Sequence, residues 1–338
     1  MMKVTITDVA KKAGVSKTTV SRIINHNYAH TTEETRQRVL DVIKELDYRP
    51  NALAKGLKSS QTNVIGMVLS NLKNPFWTSV LEGVEDATRN QGFHLMICNS
   101  DEEPEKEEQY IREFRMRQVD GIVINPTVRN PDFFRQLVDS RYPLVVINRK
   151  LPGLNVNNVV INNVKGASMA VRHLLNNGKR NIAAVTYRNE HVSTWKERIQ
   201  GYRTALLESG YAAEDLRIVE AEQDSGKIKE ATLRFLREHP GTDAVFSTNN
   251  MITLEVMDAI RELGLSIPER IAVVGYDETV WAKHLNPPLT TIRQPGYQMG
   301  QIATNMLIES IRTKNETEPK QIVLEPELIV RRSSGAAE

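Results

Sequence analysis

Apolar residues in the first fifty positions recur at helical spacing in three sets: Val9, Ala10 and Ala13; Val20, Ile23 and Ile24; Val39, Leu40, Val42, Ile43 and Leu46. Each set predicts one face of a short helix turned toward a shared core. The polar residues between the sets mark where helices begin and end. Thr5 and Asp8 have capping-box spacing, Gly14 can take the positive φ of a sharp turn, and Ser16 and either Thr31 or Thr32 can cap the helices that follow. With Val20, Ile23 and Ile24 facing inward, Lys17, Thr18, Ser21 and Arg22 are left on the outer face of the second helix.

Beyond residue 63 the period changes. Strand-like runs NVIGMVLS, FHLMICNS, DGIVINP and PLVVINR are separated by helical stretches at 77–89 and 106–117. A second series, NIAAVTY, RIVEAE, TDAVFSTN and RIAVVGYD, alternates with helical stretches at 166–176, 199–208, 228–237 and 254–263. Alternation of this kind predicts parallel sheets wrapped by helices, and two series predict two α/β lobes with a cleft between them. Ligands of open parallel sheets bind beyond the carboxyl ends of the strands. Asn148 and Arg149 follow PLVVI, Asn249 and Asn250 follow AVFST, and Asp277 follows AVVGY, so polar side chains emerge at that end. For a lone Asn after a strand the commoner role is a helix cap.

Charge separates the two regions. Residues 1–60 carry eleven Lys or Arg against six Asp or Glu, net +5, while the remainder is net −3. A basic three-helix head whose second helix presents a polar, cationic face is a helix-turn-helix built to enter the major groove of DNA. Between head and lobes, residues 49–62 begin with Arg49 and Pro50 and include Gly56, Ser59 and Ser60. They predict a hinge helix too short to stand alone, formed against a partner copy or DNA. Leu57 within it is either a wedge for the minor groove or a linker leucine packed on the next domain.

With 338 residues and 40% apolar content, the chain can hold such a head and two α/β cores. It shows no run of twenty apolar residues and no export signal, so no membrane span and a cytoplasmic location are expected. Cys98 is the sole cysteine, expected buried in a strand, which excludes an internal disulfide and a cysteine metal cluster. No Gly-rich phosphate loop, zinc-binding His pair or nucleophile elbow is present, so no catalytic residue, metal or cofactor is assigned. The alternative is a carbohydrate-processing enzyme fused to a DNA-binding head. A secreted binding protein would share the clamshell but lack residues 1–60.

The order TITDVAKKAGVSKTTVSR, DYRPNALAKGL, an α/β region, VVGYDET and PLTTIRQP resembles the lactose/galactose repressor (LacI/GalR) family of bacterial transcription regulators, over nearly the whole chain. There is also a fainter likeness to regulators of keto-deoxy-gluconate and pectin breakdown. The resemblance implies a small all-α helix-turn-helix head plus an α/β, two-lobed, periplasmic-binding-protein-like effector domain. It implies a homodimer on a pseudo-palindromic operator, probed by a sugar or sugar-acid effector. The domains expected are 1–48, the head; 49–62, hinge helix and linker; and 63–338, with lobes at 63–162 plus 293–321 and 163–292 plus 322–333. The chain would cross between lobes near Asn162, Ile292 and Val323.

Lys17, Thr18 and Arg22 match the base-reading positions of the family, with Thr5, Ser16, Thr19, Ser21 and Asn25 completing the head's DNA surface. Ala54 and Leu57 match the hinge residues that enter the minor groove. Arg198, Asn249 and Asp277 match effector-binding positions, Phe76 an apolar wall, and Asn148 with Arg149 line the same cleft. Asn148 stands where aspartate is frequent in relatives. An amide there beside two arginines points to an anionic effector, such as a sugar acid.

Overall fold

The computed structural model describes residues 4–25, 27–29, 31–48, 61–188, 191–314, 316 and 318–335. The chain divides into two compact units, Met1–Thr62 and Asn63–Glu338. The first unit holds helices α1 (Ile6–Ala13), α2 (Lys17–Ile24) and α3 (Glu33–Glu45). The Thr5 backbone N–H and hydroxyl both donate to Asp8 Oδ2, at 2.8 and 2.7 Å, fixing the start of α1. Gly14 ends α1 at φ 65°, a left-handed conformation that glycine adopts without Cβ strain, and the chain turns into α2. Ser16 Oγ and Thr32 Oγ1 then accept the Thr19 and Thr35 amides and cap α2 and α3. Val9, Ala10, Ala13, Val20, Ile23, Val39 and Val42 form the buried core of this unit. Leu40, expected in that core, is 37% exposed because Val39 and Val42 take the inward face of α3.

The second unit contains two six-stranded sheets. The first is wholly parallel, in the order β11-β5-β4-β3-β1-β2, from β1 (Val64–Leu69), β2 (His94–Asn99), β3 (Gly121–Ile124), β4 (Leu144–Ile147), β5 (Asn157–Ile161) and β11 (Gln321–Leu324). Helices α4 (Phe76–Asn90) and α11 (Gly296–Arg312) cover one face, and α5 (Pro104–Met116) and α6 (Pro131–Asp139) the other. The second sheet runs β12-β10-β9-β8-β6-β7, from β6 (Ile182–Tyr187), β7 (Arg217–Ala221), β8 (Ala244–Ser247), β9 (Ala272–Tyr276), β10 (Thr290–Arg293) and β12 (Glu327–Ile329). Only β12 is antiparallel. Helices α7 (Asn163–Asn176) and α8 (Ser193–Glu208) pack on one face, and α9 (Lys227–Glu238) and α10 (Asn250–Glu262) on the other.

In each sheet the strand order reverses beside the first strand, at β1/β3 and at β6/β8, and a parallel sheet opens a ligand crevice at such a point. The chain passes between lobes three times. It crosses after β5, between β10 and α11, and between β11 and β12. The third crossing comes later than the expected Val323, which lies inside β11 and pairs with Val160 of the first sheet. Gly201 brings α8 hard against α7: a Cβ there would meet the Val164 carbonyl oxygen at 2.2 Å. That close approach seats Arg198, one turn earlier, beside the start of α7. Cys98, expected buried, is half-exposed because β2 is an edge strand.

Candidate effector cleft and DNA-facing helix

All six residues expected at the effector site line one cleft between the lobes: Phe76, Asn148, Arg149, Arg198, Asn249 and Asp277. The space enclosed between the walls is narrow, about 50 Å³. On the first-lobe side, Arg149 is 4% exposed and its charge is already matched. Its Nη1 and Nη2 donate to Glu102 Oε2 and Oε1 at 2.7 and 2.5 Å, and Nη1 also reaches the Pro126 carbonyl at 2.8 Å. Behind this pair Glu107 accepts the Thr127 amide and hydroxyl at 2.7 and 2.9 Å. Burial pushes Glu107 up to about 7 against those hydrogen bonds and the nearby Arg149 charge.

Three amide oxygens in the cleft are buried without a hydrogen-bond partner, Asn125 Oδ1, Asn148 Oδ1 and Gln294 Oε1, and so is the donor Arg149 Nε. Groups in that condition are costly unless a ligand or water reaches them. Asn148 adopts φ 63° and Asp277 φ 75°. The left-handed region is several-fold enriched in Asn and Asp, which gives a backbone reason for either residue at position 148. The choice of Asn there therefore says less about effector charge than its two arginine neighbours first imply.

On the second-lobe side Arg198 is held by neutral groups. Its Nε donates to Asn163 Oδ1 at 3.0 Å, its Nη1 to the Thr248 carbonyl at 2.6 Å, and the guanidinium lies 3.7 Å over the Tyr276 ring. Asp277 Oδ1 accepts from Gln294 Nε2, and Oδ2 from the Asn250 amide at 3.4 Å. Asn249 caps α10 through its Oδ1, 2.8 Å from the Met251 amide. Aromatic rings complete the walls: Phe76 meets Trp77 edge-on at 5.1 Å and Tyr187 meets Trp195 at 5.3 Å. Glu102, Asn125, Gln294, Tyr187 and Trp195 were not anticipated. Applying the strand-end rule to the segments after β2 and β3 would have reached Glu102 and Asn125.

In the head, Lys17, Thr18 and Arg22 are exposed on the outer face of α2, and Arg22 forms no ion pair among the described residues. Four other residues expected at the DNA spend side-chain bonds inside the head. Thr5 bonds Asp8, Ser16 and Thr19 share a 2.9 Å contact at the α2 cap, and Asn25 Nδ2 returns to the Ser21 carbonyl at 2.8 Å. Ser21 is half-buried. Ala54 and Leu57 lie outside the described residues.

A helix-turn-helix head followed by a two-lobed domain with a polar, aromatic-walled cleft defines a ligand-responsive DNA-binding regulator. Residues 5–51 match the family described as bacterial regulatory proteins, lacI family, and residues 62–331 match periplasmic binding proteins and sugar binding domain of LacI family. The chain belongs to the LacI family of transcriptional regulators. It is 33% identical to the HTH-type transcriptional regulator KdgR of Bacillus subtilis (strain 168), covering 97% of each chain. Among solved structures it resembles a transcriptional regulator CelR–cellobiose complex, with TM-score 0.71, 32% identity and coverage of 98% and 99%. The Lac repressor dimer bound to operator and the anti-inducer ONPF shares the fold at TM-score 0.87, with 24% identity and the same coverage. The protein is thus a DNA-binding regulator with a sugar-binding effector domain, and not an enzyme. Among the described residues no helix is long and apolar enough to cross a membrane.

Proposed function

We propose that the protein is a repressor whose grip on a pseudo-palindromic operator is set by a neutral, hydroxyl-rich sugar bound in the cleft. The observation that carries this is the consumption of Arg149 by Glu102, beside three buried amide oxygens that each need a donor. Sugar hydroxyls are donors and acceptors at once and can satisfy both the oxygens and Arg149 Nε. With Glu102 and Asp277 against Arg149 and Arg198, the cleft's charges balance. The aromatic rings suit the apolar faces of a pyranose. A relative whose structure is described as a cellobiose complex agrees with this chemistry.

A sugar acid is the second reading. Arg198 favours it, because the groups that hold its guanidinium, the Asn163 amide and the Thr248 carbonyl, are neutral. Thermal midpoints of the full-length protein with cellobiose, ribose, gluconate and 2-keto-3-deoxygluconate separate the two. A rise with a neutral sugar alone supports the first, and a rise with a hexonate alone replaces it with the second.

Lys17, Thr18 and Arg22 would read base edges, with the heads of a homodimer about one helical turn, roughly 34–36 Å, apart. Exposed Leu72 and Ile97 beside the edge strand β2, with Leu254 and Val280 on the second lobe, offer apolar surface for the partner copy. The boundaries at 48 and 62, and the lobes joined by three crossings, fit that division of labour. Arg22→Ala should weaken specific operator binding by about 1–3 kcal/mol and leave random DNA nearly unchanged. Equal losses on both would make Arg22 a phosphate contact.

A further inference from the structure

Two polar contacts made by Lys150 bridge the lobes. Its Nζ lies 2.6 Å from Glu197 Oε1 on α8, and its backbone N–H donates to Ser193 Oγ at 3.1 Å. Glu197 does not end there. Its other oxygen, Oε2, accepts from Asn163 Nδ2 at 3.0 Å, and Asn163 Oδ1 accepts from Arg198 Nε at 3.0 Å and from Tyr276 Oη at 3.3 Å. Asn163 is 1% exposed and opens α7 immediately after the first crossing. Its Nδ2 also holds the Ile161 carbonyl at the end of β5, at 3.2 Å.

We propose that Lys150, Glu197 and Asn163 form a latch that ties the position of Arg198 in the effector cleft to closure of the first lobe on the second. The assignment rests on the cleft being the effector site, and it names positioning residues, since none of the three appears on the cleft lining. The geometry of Asn163 makes the coupling directional. Its amide plane is fixed by four partners, so a guanidinium that leaves Oδ1 frees the amide to rotate, and Glu197 loses the donor that orients it toward Lys150. Glu197 sits at 19% side-chain exposure and Lys150 at 42%, so the ion pair at the rim is partly screened and the amide link behind it is dry. A pair of that exposure shifts a two-state equilibrium by a small factor, which suits a contact that has to open when the cleft does.

The test measures lobe separation in the full-length chain without any ligand, so it does not depend on which sugar binds. Spin labels are placed at Arg129→Cys and Asp224→Cys in a Cys98→Ser background, with labelled chain diluted into unlabelled chain, and the intrachain distance distribution is recorded by pulsed electron resonance. Lys150→Met and Arg198→Lys should each raise the longer-distance population roughly two- to fivefold. Arg198→Lys does so because it keeps the charge and loses the Nε donor. Arg172→Met, which removes an exposed ion pair with Glu208 between α7 and α8 inside the second lobe, should leave the distribution unchanged. Raising salt should open the parent chain and leave Lys150→Met unaffected. An unchanged distribution in either Lys150→Met or Arg198→Lys overturns the latch, as does an equal shift in Arg172→Met. Circular dichroism melts of each variant identify loss of folding, and Glu197→Gln, which keeps the acceptor for Asn163 while removing the charge, then supplies the second disruption of the ion pair. A cleft that proves to bind no sugar would leave these distances as they are.

Discussion

The two walls of the cleft use the same residue type to opposite ends. Arg149 on the first lobe is enclosed by carboxylates, paired bidentately with Glu102 and backed by Glu107, so its positive charge is spent inside the protein. Arg198 on the second lobe touches an amide, a carbonyl and a phenol ring, so its charge is oriented but not cancelled. An arginine in a pocket is therefore informative about ligand charge only once its partners are known. The first wall contributes unfilled acceptors from Asn125 and Asn148, and the second contributes a cation and the Asp277 carboxylate.

The strongest way to break this contrast is Glu102→Gln. It leaves a nearly buried guanidinium short of its counter-charge and should destabilise the protein by about 3–5 kcal/mol, less whatever Glu107 recovers by ionising. Urea unfolding at pH 7 measures it, and a loss below about 1 kcal/mol would show that Arg149 is not held as a buried pair.

Glu107 gives the next effect. Burial raises its pKa from 4.5 to about 7 in the folded chain, so folding favours the protonated acid. That contribution is complete below about pH 4.5 and is lost as pH rises to about 7, about 3 kcal/mol in all. Glu107→Gln should flatten this part of the stability profile between pH 5 and 8, because Gln can accept from the Thr127 amide and donate to its hydroxyl. A parallel profile in the variant would mean that Glu107 stays ionised.

On the second wall, Asp277→Ala should cost about 1.5–3 kcal/mol of affinity for whichever sugar raises the parent's melting temperature, and leave ligand-free operator binding intact. Isothermal titration and operator anisotropy check the two halves separately. The smallest effect belongs to the unfilled acceptors: Asn125→Ser, which drops one amide oxygen and keeps a hydroxyl, should weaken the same sugar by about 0.5–1.5 kcal/mol.

Local signals carried the head. Asp8, Gly14 and Ser16 act within a few residues of where they stand, and their hydrogen bonds and left-handed turn are those the spacing requires. Helices α7 to α10 were legible from periodicity, although α8 begins six residues before the expected 199. Its first turns bury the polar Thr194 and Arg198 beside Trp195, which blurs an amphipathic stripe. Strand β5 opens with two buried asparagines, Asn157 and Asn158, whose amides bond partners distant in sequence, so polarity hid it. Helix α11 carries Gly300 where α4 approaches too closely for a Cβ, the Val80 carbonyl oxygen lying 2.2 Å from where it would stand, a requirement set by a partner distant in sequence. Asn148, Arg149, Asn249 and Asp277 were legible from their strand ends, whereas Phe76 and Arg198 stand on helices and were reached only through the family resemblance. Glu102 and Gln294 matter through partners 47 and 17 residues away, Arg149 and Asp277, a relation that no local pattern encodes.

The threading of the chain has a consequence for synthesis. The first lobe lacks α11 and the edge strand β11 until residue 324 has left the ribosome, whereas the head is a separate unit ending at Thr62. At roughly 5–20 residues per second the interval between the two is on the order of tens of seconds. Throughout that time a nascent chain carries a complete DNA-binding head and no finished ligand-sensing domain, so premature termination anywhere between those points yields a head uncoupled from its control.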